Sequence, residues 1–374
     1  MKYYIIAGEA SGDLHGSNLM RGLKLADYNA NFRFWGGDLM AEQGGVMVKH
    51  YKKTAFMGFW EVFKNLGTIA KNLKMCKQDI LDYKPDVVIL IDYPGFNFRI
   101  AEFAHKQGLK VFYYIAPKVW AWKESRVKRI KKYVDKLFII FPFEVEYFKK
   151  WGIDACYHGN PLIDSTAERV KDKIPFKQFI QENKLEDKPI IALLAGSRVQ
   201  EINWVLPRMV NLSGLYPNYQ FVVAGAPSLD ESVYQKYLQG SSIKYVCNKT
   251  YDLMMQSTAA VVASGTATLE ALLLDIPQVV CYGGSEISYQ IAKRFVKIKF
   301  ISLVNIIANR QVVCELIQHD MTLENIKTEL DTLLLGGEKR DDMLKAYSEI
   351  RKMLGEQGSS YRVAKSVVNE LIKQ

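Results

Sequence analysis

Runs of mostly apolar residues, each of strand length, recur along the chain at Lys2–Ala7, Asp86–Ile91, Val111–Ile115, Leu137–Phe141, Ile190–Ala195, Phe221–Ala224, Ala259–Ala263 and Val279–Tyr282. Helix-length segments with charged faces separate most of them. That alternation predicts parallel strands buried on both faces, with the helices as covers. The pattern restarts in the middle. After Gly159-Asn160-Pro161 comes the charged, Pro-bearing stretch Asp164–Pro175, then a new strand, Gly-turn and helix from Ile190. Two doubly wound α/β domains follow, 1–165 and 166–345. A helical segment, 346–374, is interrupted at Gly355-Glu356-Gln357-Gly358 and is free to return to the first domain.

One stretch of the first half is denser in large apolar groups than packing alone requires. It runs from Phe56-Met57-Gly58-Phe59-Trp60-Glu61-Val62-Phe63 through Leu66 to Leu73 and Met75, with lysines at 64, 71, 74 and 77. Met57, Phe59, Trp60 and Phe63 beside lysines suit a helix lying on a membrane surface or accepting acyl chains. A buried core helix with a solvated stripe would read the same way.

Composition narrows the class. A chain of 374 residues that is 49% hydrophobic and 24% charged exceeds one typical core and is not disordered. Its five cysteines are scattered, without C-x-x-C or His pairing, so a disulfide framework and structural zinc are both disfavoured and a reducing compartment fits. The first strand begins at once, leaving no room for a signal peptide, and no apolar run reaches about 18 residues. The expectation is a cytoplasmic protein. The net charge of +10 is partly local, in Arg126–Lys136 and Lys293–Lys299. Such runs are solvated helix faces or meet an anionic surface. No nucleic-acid-binding pattern accompanies them, which leaves an anionic bilayer ahead of nucleic acid.

Candidate chemistry sits where strands end. Gly8-Glu9-Ala10-Ser11-Gly12-Asp13 follows the first strand: its glycines allow close backbone approach, and Glu9, Ser11 and Asp13 bring hydrogen-bonding groups to a helix start. Neither a dinucleotide fingerprint nor a P-loop spacing is present. Gly196-Ser197-Arg198-x-x-Glu201 and Ser264-Gly265-Thr266-Ala267-Thr268-Leu269-Glu270 each turn a strand into a helix. A helix N-terminus plus Arg198 makes a pyrophosphate-binding pair, and Glu270 could take two ribose hydroxyls. Each could alone be an ordinary capped turn; two in one domain favour a nucleoside diphosphate. Asp92 ends the Asp86–Ile91 strand, placed either as a general base or as a turn cap.

With these residues in place the chain resembles the lipid-A-disaccharide synthases, glycosyltransferases built of two Rossmann-like domains facing across a cleft (the GT-B type). The matching pieces are Gly8–Asp13, Met57-Gly58-Phe59-x-Glu61-Val62, Ile91-Asp92-x-Pro94-x-Phe96-Asn97, Pro117-x-x-Trp120-Ala121-Trp122, Phe141-Pro142-Phe143-Glu144, Gly196-Ser197-Arg198, Ser264–Glu270, Ser302-Leu303-x-Asn305 and Glu315-Leu316-x-Gln318. They stand in family order over nearly the whole chain. Ala195, Val304 and Cys314 replace prolines usual in the family, Asn160 replaces a histidine, and Gly95 an often acidic residue. The last departure narrows the candidate base to Asp92.

The resemblance implies transfer of 2,3-diacylglucosamine from UDP to the 6-hydroxyl of 2,3-diacylglucosamine 1-phosphate, with inversion. It places Asp92 at catalysis together with Glu9 and Ser11. Donor binding falls to Gly196, Ser197, Arg198, Glu201, Ser264, Gly265, Thr266, Glu270, Asn305 and Gln318, and lipid contact to Met57, Phe59, Trp60 and Phe63. It implies no cofactor and no metal. The expected partners are the two acylated sugars and the anionic inner face of the inner membrane, where the protein would be peripheral; a homo-oligomer stays open. Two rivals remain: a UDP-N-acetylglucosamine 2-epimerase-like enzyme, and a non-catalytic membrane-associated UDP-sugar sensor.

Overall fold

The computed structural model describes residues 1–53, 66–120, 124–227, 229–284, 289 and 299–373. The chain divides into two compact units, one made of Met1–Asp164 with Leu354–Gln374, the other of Ser165–Met353. Both boundaries fall inside helices, Pro161–Lys171 and Arg340–Leu354.

The first unit holds a seven-stranded sheet of β1 (Lys2–Ala7), β2 (Asn31–Gly36), β3 (Val46–His50), β4 (Val87–Ile91), β5 (Lys110–Tyr114), β6 (Lys136–Ile139) and β7 (Ala155–Tyr157). All pairings are parallel, in the order β3-β2-β1-β4-β5-β6-β7. Alternate side chains feed two cores. Tyr4, Ile6, Val88 and Leu90 pack on one face, and Tyr3, Ile5, Val87 and Ile89 on the other.

The second face is completed from the far end of the chain. Val363, Ala364, Val367 and Val368 of helix Ser359–Ile372 are buried in it beside Leu19 and Leu23 of helix Ala10–Ala26. Gly22 permits the contact, since a Cβ there would stand 2.9 Å from the Ala364 Cβ. Each buried valine is worth about 1.5–3 kcal/mol. Asp164 fixes the start of that helix by accepting from the Gly358 and Ser360 amides at 2.6 and 3.1 Å. Asn160 is fully buried, donating to the Ile140 carbonyl and accepting from the Leu162 amide, both at 2.9 Å. Asn160, one of the five departures from the expected motifs, thus serves as a structural joint.

The second unit repeats the plan with six parallel strands: β8 (Ile190–Leu194), β9 (Gln220–Gly225), β10 (Lys244–Cys247), β11 (Ser257–Ala263), β12 (Gln278–Tyr282) and β13 (Glu315–Ile317), in the order β10-β9-β8-β11-β12-β13. In each sheet the first strand has later strands on both sides, so the winding reverses between β1 and β4 and between β8 and β11. Open α/β sheets bind ligands at the carboxyl ends of the strands flanking that reversal. Among the described residues, no helix is long and apolar enough to cross a membrane.

Candidate functional site

The reversal in the first unit brings together the two loops singled out there, Gly8–Asp13 after β1 and Asp92–Tyr93 after β4. They touch: a Cβ on Gly8 would lie 2.2 Å from Cγ of Tyr93, so only glycine lets that ring cover the loop. Asp92 and Tyr93 have φ of 41° and 48°, and Ile115, just past β5, has 62°. Left-handed backbone at non-glycine residues costs about 1–3 kcal/mol each and persists where the surroundings over-determine it. Here the Asp92 carbonyl accepts from the Tyr113 hydroxyl at 2.6 Å and the Asn97 amide at 2.8 Å, and its N–H donates to the Tyr114 carbonyl at 3.3 Å.

The Asp92 carboxyl is half-buried and pushed up to about 7, first by loss of solvent, then by the negative charge of Glu9. Lys118, Arg126 and a hydrogen bond from the Tyr93 amide act in the opposite direction. Glu9 is partly exposed and takes a 2.8 Å hydrogen bond from the Ser11 hydroxyl. The three expected catalytic residues therefore share one end of one sheet. Asp13 does not join them. It is buried, and its carboxylate accepts from the amides of Gly37, Leu39 and Met40, starting helix Asp38–Glu42.

Two motifs that sequence alone left without a role meet nearby. Glu144 is buried, accepting from Trp120 Nε1 at 3.0 Å and from the amides of Ile140 and Phe141. Burial pushes its carboxyl up to about 7 against those bonds. It ties the loop bearing Lys118 to the loop after β6.

In the second unit the reversal brings together Gly196-Ser197-Arg198 after β8 and Ser264-Gly265-Thr266 after β11. Gly196 has φ of 106°, and a Cβ on it would stand 2.7 Å from Glu201 Oε2. Glu201 takes the Ser197 amide at 3.2 Å and pairs with the exposed Arg198 guanidinium at 2.9 Å. Glu201 thus shapes the loop and parks Arg198. An exposed pair of this kind is worth at most about 1 kcal/mol, so Arg198 is readily released from it. Ser264 donates to the Ile301 carbonyl at 3.1 Å, Thr266 is exposed at the first turn of helix Thr266–Leu273, and Gly265 is its N-cap. Glu270, one turn along, is partly buried, and burial raises its carboxyl pKa.

Two expected donor ligands have their side-chain amides committed to the protein's own loops. Asn305 is fully buried, and its amide is spent: it donates to the Val313 carbonyl and Glu315, and accepts from the amides of Val312 and Val313, all at 2.7–3.0 Å. It holds a loop and has no group left for a phosphate, which corrects the direct contact expected of it. Gln318, with φ of 50°, pins Gly284 through both its amide atoms. Its place is likewise that of a loop anchor. Met57, Phe59, Trp60 and Phe63 lie outside the described residues. Tyr93, Lys118, Arg126 and Tyr251 were missed. Tyr93 and Lys118 occupy unspecified positions inside quoted motifs and Arg126 heads a basic run, so only the fold shows that these three face Asp92 and that Tyr251 reaches Glu270.

Comparison with known proteins gives the family and the fold. A family model described as lipid-A-disaccharide synthetase matches residues 3–370. Lipid-A-disaccharide synthase of Myxococcus xanthus (strain DK1622) is 37% identical over 373 residues, covering 98% of this chain and 97% of its own. That of Coxiella burnetii (strain Dugway 5J108-111) is 35% identical over 369 residues, with 98% and 97% covered. Among solved structures, a putative UDP-N-acetylglucosamine 2-epimerase from Listeria monocytogenes aligns at a TM-score of 0.70 with 13% identity, covering 100% of this chain and 97% of its own. A glycosyltransferase from Rickettsia africae aligns at 0.59 with 14% identity, covering 100% and 99%. At such identities these two establish the fold only.

Proposed function

The chain belongs to the lipid-A-disaccharide synthase family, and on that premise we propose how its two sheet ends divide the labour of one glycosyl transfer. The reaction joins UDP-2,3-diacylglucosamine to 2,3-diacylglucosamine 1-phosphate, giving the β-1,6-linked disaccharide 1-phosphate and UDP. The first unit takes the acceptor and the second holds the UDP-sugar. The acceptor 6-hydroxyl oxygen attacks the donor anomeric carbon, and its proton passes to the Asp92 carboxylate. The bond to the pyrophosphate breaks on the opposite face, leaving its electron pair on the departing UDP oxygen. One displacement inverts the anomeric centre.

The observation that carries this reading is Asp92 itself. A carboxylate fixed by strained, thrice-anchored backbone at the carboxyl tip of a buried strand, and pushed up to about 7, is matched to taking a proton near neutral pH. Glu9, oriented by Ser11, keeps that carboxyl high. Arg198 and the helix starts after β8 and β11 meet charge growing on UDP, and Glu270 receives the ribose. Mixing the purified protein with both acylated sugars should release UDP, whereas UDP-N-acetylglucosamine as donor should not. Equal release from both donors would overturn the assignment.

We further propose that the protein works on the inner face of the inner membrane. Both substrates carry acyl chains, and Met57, Phe59, Trp60 and Phe63 precede helix Leu66–Tyr83, whose Lys71, Lys74 and Met75 are exposed. Each aromatic is worth about 1.5–3 kcal/mol when moved out of water, and each lysine near an anionic surface about 1 kcal/mol. Replacing Phe59, Trp60 and Phe63 with Ser should release the protein from anionic vesicles and raise KM for acylated sugar, with UDP affinity intact. A folded triple variant that still binds vesicles like wild type contradicts this.

A further inference from the structure

Glu270 is a poorly satisfied carboxylate. An ionised carboxylate offers about four acceptor positions, and among the described residues one donor reaches it, the Tyr251 hydroxyl at 2.8 Å from Oε1. Tyr251 lies on helix Thr250–Met255, which leads into β11. Its ring packs against the core that contains Phe179, Leu253 and Ala271, and the Arg169 guanidinium stands 5.9 Å from its centre. The ring is thus held from several sides, and its hydroxyl, with the Thr166 side chain beside it, donates to Glu270.

We propose that Tyr251 is a positioning residue for the donor: its hydroxyl fixes the Glu270 carboxylate so that the remaining oxygen faces the vicinal ribose hydroxyls. The proposal rests on the reading of Glu270 as the ribose ligand. Burial and the neighbouring Glu270 charge push the Tyr251 phenol far above its ordinary range, so it stays protonated and keeps its proton to donate to Glu270. The same hydrogen bond favours the ionised form of Glu270, against the burial that raises its pKa. Removing the hydroxyl frees the carboxylate to rotate and makes it easier to protonate. Both effects weaken acceptance from a diol.

Tyr251→Phe keeps the ring and deletes only the oxygen, which separates positioning from packing. The measurement is binding of UDP and of 2′,3′-dideoxy-UDP to wild type and variant, across pH. Wild type should prefer UDP. The variant should lose about 5- to 10-fold in UDP affinity, bind dideoxy-UDP as wild type does, and show the acid limb of UDP binding moved to higher pH. Unchanged dideoxy-UDP affinity also shows that the site is folded. In turnover, KM for the donor should rise while kcat stays within about twofold. If wild type discriminates between the ligands and Tyr251→Phe matches it at every pH, Tyr251 is packing only and the proposal is overturned. If wild type does not discriminate, the ribose reading of Glu270 falls first and takes the proposal with it.

Discussion

The carboxyl end of the first sheet and that of the second share one topology and carry opposite chemistry. At the first, the reversal between β1 and β4 gathers carboxylates, Asp92 raised by burial and by Glu9. At the second, the reversal between β8 and β11 gathers helix starts and an exposed arginine parked on Glu201. The backbones differ in the same sense. At the reversals themselves, Asp92 and Tyr93 after β4 take left-handed conformations that cost non-glycine residues free energy, whereas the β8 loop gives its positive φ to Gly196. Away from the reversals both ends hold such residues, Ile115 in the first and Asn248 and Gln318 in the second. The first end is a stiff, charged point; the second offers helix starts and an exposed guanidinium, which on the proposed reading cradle an anion. Winding order decides where a site lies; the side chains at the strand tips decide what it does.

If that contrast is right, its largest consequence is a split in how variants fail. Asp92→Asn should lose about 10²–10⁴ in kcat while UDP affinity, by titration, stays within about twofold. Near-normal kcat in a folded Asp92→Asn protein would erase the contrast. Arg198→Ala should cost about 2–4 kcal/mol in kcat/KM and lower both UDP affinity and kcat, because charge on UDP grows as the bond breaks. Steady-state kinetics with paired UDP titration reads both. A smaller effect is expected of Glu270→Ala: about tenfold weaker UDP binding with kcat little changed, since ribose contacts are equal in ground and transition states. Wild-type UDP affinity in that variant would remove the ribose contact.

The sequence displayed the interior of both sheets and hid their margins. The apolar runs marked β1, β4, β5, β6, β8, β9, β11 and β12. The strands without such a run are β2, β3, β7, β10 and β13, and four of these five are the sheet edges. An edge strand is covered incompletely and carries polar residues, as in Lys244-Tyr245-Val246-Cys247, so it lacks a continuous apolar signature. The inner exception, β2, contains Arg33, whose guanidinium is matched by Asp79 from helix Leu66–Tyr83. No local pattern announces that pairing.

The site was legible in proportion to how local it is. Asp92, Arg198 and Ser264–Thr266 sit at strand ends, where their neighbours in sequence reveal the position. Asn305 and Gln318 are expected as ligands on the resemblance alone, through Ser302-Leu303-x-Asn305 and Glu315-Leu316-x-Gln318, and a motif match does not say whether a polar side chain meets a ligand or its own backbone. Only the spent hydrogen bonds of Asn305 and the Gly284 contacts of Gln318 tell the two apart. Tyr251 and Glu270 are 19 residues apart, and no spacing rule joins them.

The central claim is that a desolvated Asp92, held high by Glu9, is the base. The pH dependence of kcat/KM tests it most directly, because that ratio reports groups of the free enzyme. Only the ionised carboxylate accepts a proton, so kcat/KM should fall about tenfold per unit as pH drops below about 7 and level off above it. Glu9→Gln removes the nearby negative charge, so the same limb should move to lower pH. A profile flat between pH 5 and 9, or a limb near 7 that stays in place in Glu9→Gln, would contradict the account.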